Sequence, residues 1–361
     1  MPFAFDHCDE LKHFQRVVPQ RARYSSVLRN AIFAVSARHL VRLPQYKTPQ
    51  GIVYHGQLIT DLNNTTAVEY MLNCIPDLTR FPDINNPADQ EDIMAATVIL
   101  RQYEEMEEDT EDGSGVNEHA NFLDITQKII NTMISSRSQQ SLASAAYWIA
   151  IRQEVYYALT RERAPHMAFS PEDWRNASTA NTMIMFASEV TKWFWGEKIT
   201  AEWERLRLRQ QELAHDHEHR LQPILAQKAD KPKGELFPTV WYATDDQVTA
   251  VQHLELGKMI LVAEDPHLEH ATRSVNRKVE AQVRSIVLRI CGIALNHLRC
   301  QPALVNAVIA ITLYGEYFTE PEERDALVKI LDRTRDLRSW PMQEAYRRFR
   351  DRWELLSVSY S

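Results

Sequence analysis

The sequence predicts an all-α fold, a large helical bundle of two packed helical layers with no significant sheet. The 361 residues include only nine glycines, and glycine is the residue that hairpin turns and phosphate-binding loops need. A hydrophobic fraction of 44% is ample for a buried core without disulfides or metals. Apolar residues recur three and four positions apart along most of the chain, and no segment shows a convincing strand-type alternation.

The clearest helical segment is Val27–Leu43, where Ser25 or Ser26 can cap the start and Pro44 ends the run. The same spacing predicts further helices over Ala67–Leu78, Asp92–Glu108, His119–Ile134, Ala143–Thr160, Asn181–Phe194, Ala201–Leu213, Gln247–Ala263, Val275–Asn296, Pro302–Phe318, Arg324–Thr334 and Met342–Leu356.

Two polar segments interrupt this series. Glu104–Gly115 is an acidic run closed by glycines, which repulsion between like charges should keep exposed. Glu212–Glu235 combines the letters HDHEH with two prolines and several lysines, as a polar connection between helices does. Neither segment has the simple composition of a disordered linker. The sequence therefore predicts a single domain over 1–361 with a polar connection near 212–235.

Charge and cysteine usage narrow the class of protein. A formal net charge of −8 repels a polyanion, so direct nucleic-acid binding is not expected. Cys8, Cys74, Cys291 and Cys300 are too scattered for a disulfide framework or a zinc site. We expect no metal and no cofactor. The N-terminus lacks an export signal and no apolar run is long enough for a membrane span, which predicts a protein of the nucleus or cytoplasm.

One series of segments resembles a known family. His13–Leu40 reads HFQRVVPQRARYSSVLRNAIFAVSARHL and is similar to the opening of the fungal-specific transcription factor domain, the regulatory region of binuclear zinc-cluster regulators. Further family-like stretches follow in order over nearly the whole chain, at Ala67–Leu78, Ile93–Glu105, Ala145–Leu159, Phe237–Val262, Arg289–Leu295 and Trp340–Pro341.

The resemblance implies an all-helical regulatory body that senses a small apolar or anionic metabolite. It also implies a homodimer or a partner transcription factor. In that family a cysteine-rich module with two zinc ions contacts DNA, and no such cysteine cluster is present in this sequence. The first hypothesis is thus a regulatory protein that reaches DNA through another protein. The alternative is an enzyme of fungal secondary metabolism, of the cyclase or isomerase type, that uses the same helical fold and an apolar pocket.

Three arginines lie at the ends of apolar helical runs: Arg38, Arg101 and Arg152. Each can pair with a nearby carboxylate, as a partly buried guanidinium requires. The alternative is a shared pocket in which the arginines bind an anionic ligand. The carboxylates within reach in the sequence are Glu69, Glu104 and Glu154.

The helix around Trp148 is our first choice for a pocket wall. It is apolar on most faces, yet Arg152, Gln153 and Glu154 follow one another on it. Such polar groups cost energy unless they meet partners or a ligand, and a hydrogen-bonded network at a helix crossing would satisfy them equally well.

Four other polar residues are weaker candidates. Asp246 follows another aspartate just before a predicted helix, where capping is the simpler explanation. His253 lies inside a family-like helix, where a buried histidine is more often hydrogen-bonded than basic. His215 and His219 have helical spacing but no evident third metal ligand, so a solvated turn is expected.

Overall fold

The computed structural model describes residues 5–106, 125, 128–129, 141–338, 342 and 345–347. The α-helices of this part of the chain are α1 (His13–Arg16), α2 (Val18–Arg21), α3 (Ser26–Arg42), α4 (Asn64–Leu72), α5 (Ile75–Thr79), α6 (Pro87–Glu105), α7 (Leu142–Thr160), α8 (Pro171–Asn176), α9 (Thr179–Phe194), α10 (Thr200–Asp216), α11 (Asp245–Ala263), α12 (Arg273–Asn296), α13 (Gln301–Tyr314) and α14 (Pro321–Arg338). The strands are β1 (Lys47–Thr48), β2 (Gly51–Tyr54), β3 (Gln57–Ile59), β4 (Leu225–Gln227) and β5 (Thr239–Trp241).

The predicted all-α class is confirmed, and most helix boundaries follow from prolines and caps. α3 ends at Arg42 because Leu43 is extended, as the residue before a proline prefers to be. Asn86 caps α6 by accepting a hydrogen bond from the backbone N–H of Ala88. The predicted helices His119–Ile134 and Met342–Leu356 fall largely outside the described residues, as do the glycines of the acidic run.

The single predicted helix Ala67–Leu78 is wrong in one respect, because the structure divides it into α4 and α5. Pro76 is the second residue of α5. It has no backbone N–H to donate to the carbonyl of Leu72, so a continuous helix would lose one hydrogen bond and clash with the proline ring.

The expectation of no significant sheet is confirmed, although the described residues include two small sheets. β1, β2 and β3 form an antiparallel sheet, and β4 pairs antiparallel with β5. His55 and Gly56 both have positive φ between the paired residues Tyr54 and Gln57, as a two-residue hairpin turn requires. Strands of two to four residues are too short for an alternating pattern to show in the sequence.

The chain divides into two compact units, and the division falls inside α7. The first unit comprises Met1–Ala150 and Arg335–Pro341, and the second comprises Ile151–Thr334 and Met342–Ser361. In the first unit α3 packs against both α4 and α6. Its apolar face, which includes Leu28, Ala31 and Val35, is buried there.

In the second unit α11 is the central helix. It packs on α9, α10, α12 and α13. Gly257 allows α11 and α9 to approach closely, because a Cβ at this position would lie 2.6 Å from Cε1 of Phe186. Gly292 of α12 similarly makes room for the backbone carbonyl of Pro238, which precedes β5.

The predicted polar connection near 212–235 is only partly a connection. α10 continues through its first residues to Asp216, and β4 lies within it. Most of its side chains are exposed, in agreement with its polar composition. The single domain and the two helical layers stay predictions. No helix in the described ranges has the combination of length and apolarity that a bilayer span needs.

Candidate functional site

The second unit contains fully buried polar side chains on its central helix. Thr249, Gln252 and His253 of α11 have no solvent-exposed surface. A buried polar group costs free energy unless it is hydrogen-bonded. The hydrogen-bond partners of these residues therefore show which of their polar atoms could still bind a ligand.

Only one of the two ring nitrogens of His253 has a hydrogen-bond partner among the described residues. Its Nδ1 lies 2.7 Å from the backbone carbonyl oxygen of Thr249. Because a carbonyl can only accept a hydrogen bond, Nδ1 carries the proton and Nε2 presents a lone pair. Nε2 is buried and has no hydrogen-bond partner among the described residues.

Two residues of α7 adjoin this imidazole. The ring of Tyr156 stacks on it, with centroids 5.6 Å apart and an interplanar angle of 27°. Arg152, one helical turn earlier, is 5% exposed. Burial above all, with a further contribution from the positive charge of Arg152, lowers the pKa of His253 to about 4. The imidazole is therefore neutral near pH 7 and can accept a hydrogen bond or a proton.

A second buried network extends from α11 in another direction. Gln252 donates through Nε2 to the backbone carbonyls of Ile290 and Ala303, at 3.2 and 3.1 Å. Its Oε1 must then accept, and Nδ2 of Asn306 donates to it at 3.1 Å. This network joins α11, α12 and α13 with oriented amides, as a structural network does.

Glu154 has partners other than His253 and Tyr156. Its carboxylate is buried, accepts a hydrogen bond from the backbone N–H of His166 at 3.0 Å and lies 3.6 Å from Nη2 of Arg163. Residues 152 and 156 share a face of α7, whereas residue 154 projects from another face. The sequence grouped Arg152 with Glu154, but the helix separates them.

The candidates in the first unit have their own surroundings. Nη2 of Arg38 donates to the hydroxyl of Tyr103 at 2.7 Å, and the guanidinium carbon lies 3.7 Å from the centroid of that ring. Arg101 is 1% exposed and lies near the C-terminal end of α6. Trp148 is half-buried, and its ring contacts that of Tyr147. A ligand-binding role for these three residues stays a prediction.

The remaining candidates lie at the surface. Asp246 is exposed in the first turn of α11, where a carboxylate complements the helix dipole. His215 and His219 are both exposed, and α10 ends between them at Asp216. They therefore do not share a helical face.

Of the sequence candidates, the structure brings together Arg152 and His253. The sequence did not predict that Tyr156 stacks on His253, or that Gln252 and Asn306 form a second buried network. Two signals could have found them: Tyr156 follows Arg152 by four positions, and Asn306 is a lone amide within the most apolar stretch of the chain.

Comparison with known proteins gives no match: no family model, no curated protein and no solved structure matches this chain.

Proposed function

We propose that this protein is a ligand-sensing regulatory protein whose second unit binds a small molecule beside His253. The observation that supports the proposal is the buried Nε2 lone pair, which has no hydrogen-bond donor among the described residues. A ligand hydroxyl or N–H would satisfy it. Regulatory action rests on the resemblance of the sequence to fungal transcription factor regulatory domains, and DNA would then be reached through a partner protein.

The chemistry of the surroundings defines the ligand class. Nε2 accepts a hydrogen bond, so the ligand supplies a donor. The stacked ring of Tyr156 and the apolar side chains of α11 favour a mainly apolar ligand. A small hydroxylated apolar metabolite meets both conditions.

The binding test uses ligand captured from cells. Wild-type protein, His253→Phe and the control His267→Gln are purified from the same host, and co-purified small molecules are measured by native mass spectrometry. His253→Phe keeps a flat ring but has no acceptor, whereas His267 is exposed and paired with Asp265. We expect a bound compound in the wild type and the control, reduced at least tenfold in His253→Phe. Equal occupancy in all three proteins would refute the proposed site.

A direct readout of the acceptor is the imidazole resonance of His253. With ¹⁵N-labelled histidine, Nε2 should resonate as a bare lone pair in ligand-free protein. Adding the captured compound should shift Nε2 toward the position of a hydrogen-bonded acceptor while Nδ1 changes little. A shift at Nδ1 alone would contradict the assigned tautomer.

An enzyme is the second candidate, and the same imidazole favours it. A neutral imidazole with an unprotonated Nε2 can take a proton from a substrate, a step that many cyclisations and isomerisations include. Deleting the gene distinguishes the two functions. A regulator changes the transcripts of a defined gene set, whereas an enzyme leaves transcripts unchanged and its loss causes a precursor to accumulate. Complementation with His253→Phe shows whether either effect depends on this site.

A further inference from the structure

The first half of α12 is mostly exposed, and only Val279 and Glu280 are partly covered. Between residues 273 and 282 no side chain is buried, and these ten positions span about 15 Å. Burial begins at Val283, and Arg284 then binds Glu323 at 2.7 Å. An isolated helical segment of this length is marginal in water.

The segment contains three cations and one carboxylate, Glu280. Arg273, Arg277 and Lys278 are exposed, and none of them forms an ion pair with a residue of the described chain. Arg273 lies in the first turn, where a cation faces the positive end of the helix dipole. Arg273 and Arg277 are also four residues apart, where like charges repel. The first turn contains no acidic residue that would offset these effects.

An apolar stripe continues along the same segment beyond the core. Val275 is 41% exposed and Val279 is half-buried. Both precede Val283 at intervals of four, so they extend the buried face of α12 into solvent. The exposed half of the helix thus presents valines on one face, with three cations and one carboxylate, Glu280, around them.

We propose that the segment of α12 from Arg273 to Gln282 is the docking surface for an acidic protein segment that carries apolar side chains. Carboxylates of the partner would neutralise the three cations, and its apolar residues would cover the two valines. Charge complementarity identifies the partner class, because the local excess of positive charge lies in a chain with a net charge of −8. The inference does not depend on a ligand at His253.

The test measures binding of a defined acidic probe to the full chain. The probe is a fluorescein-labelled synthetic peptide of about 20 residues, with leucines at helical spacing and glutamates elsewhere. A second peptide replaces every glutamate with glutamine. We expect the acidic peptide to bind, with anisotropy that falls as salt is raised, and the glutamine peptide to bind at least tenfold more weakly.

The chain offers a matched control for the surface itself. Arg273→Glu/Arg277→Glu reverses two exposed cations four residues apart on α12. Lys329→Glu/Arg333→Glu does the same on α14, where both residues are also exposed, and changes the net charge equally. The α12 variant should weaken acidic-peptide binding at least tenfold, and the α14 variant less than twofold. Equal losses in both variants, or no binding by wild-type protein, would overturn the proposal.

Stability and competing ligands complete the test. Since glutamates at a helix N-terminus complement the dipole, the α12 variant should melt at or above the wild-type temperature. A lower melting temperature would contradict the inference, because it would show that the cations support the fold. Binding of phosphatidylserine vesicles or single-stranded RNA as tightly as the acidic peptide, with loss in the α12 variant, would assign the surface to an anionic lipid or a nucleic acid and overturn the proposed partner.

Discussion

Among single residues, His253 connects the stability of the protein to pH. Its pKa of about 4 lies below the ordinary value near 6.5, so the unfolded chain binds more protons between these two values. The stability that depends on a neutral His253 is fully present above pH 6.5, and it is lost as the pH falls toward 4. At 1.36 kcal/mol per pKa unit the loss is roughly 3 kcal/mol.

Urea unfolding of wild type and His253→Gln at pH 7, 5.5 and 4 checks this prediction. The variant has no group that titrates at this position, so its free energy of unfolding should fall less between pH 6.5 and 4. The difference between the two proteins isolates His253 from other titrating groups, including His297, whose pKa is also lowered by burial. Parallel slopes would show that the imidazole does not titrate as a buried group.

Only part of the candidate site could be predicted from the sequence. His253 and Arg152 were candidates because polar residues on apolar helices need a reason to be there. Which of them meet was not predictable, because a helix distributes neighbouring residues around its axis. Glu154 and Arg152 are two positions apart in the chain yet lie on different faces of α7, and the hydrogen bond that fixes the tautomer of His253 depends on its side-chain orientation.

At the scale of elements, the crossing of α9 and α11 depends on Gly257. Alanine usually stabilises a helix by roughly 0.5–1 kcal/mol relative to glycine. Here its Cβ would lie 2.6 Å from Phe186, and overpacking costs about 1–3 kcal/mol. We therefore expect Gly257→Ala to lower the free energy of unfolding despite its better helix propensity.

The double variant Gly257→Ala/Phe186→Leu tests the cause of that loss. The smaller side chain removes the contact, so the alanine should cost less beside the introduced leucine than beside the native phenylalanine. Urea denaturation of the wild type, both single variants and the double variant gives the coupling energy. Strict additivity, or a stabilising Gly257→Ala, would show that the two helices do not meet at this point.

The elements themselves were largely predictable. Long helices such as α11 and α12 have sustained apolar spacing. Prolines mark the ends of other helices, as Pro44 does after α3. The break at Pro76 and the short strands could not be predicted from the sequence pattern. Both depend on a few local hydrogen bonds and turn conformations. The apolar spacing that predicts helices is recognised over many residues, so it does not detect such short features.

For the whole molecule, the cysteines report global unfolding. Cys74, Cys291 and Cys300 are buried, and Cys8 is half-buried. Burial raises the pKa of Cys74 to about 12, with a smaller contribution from Asp77, and burial also raises the pKa of Cys291. Since the thiolate is the reactive species, we expect Cys8 to react first with a thiol reagent in native protein.

Labelling with a chromogenic disulfide reagent at pH 8 measures this difference. One thiol should react quickly, and the other three should react at a rate limited by opening of the fold. Addition of denaturant should make all four equally fast. Rapid reaction of all four thiols without denaturant would contradict the buried positions.

The sequence by itself determined the helical class, because apolar spacing and scarce glycine act locally along the chain. It also determined the acidic net charge and the scattered cysteines. The tertiary structure decided which polar residues meet, where α7 passes from one unit to the other, and that half of α12 extends beyond its core. These properties depend on contacts between residues distant in the chain, and burial together with the charge of Arg152 makes an ordinary histidine a neutral acceptor.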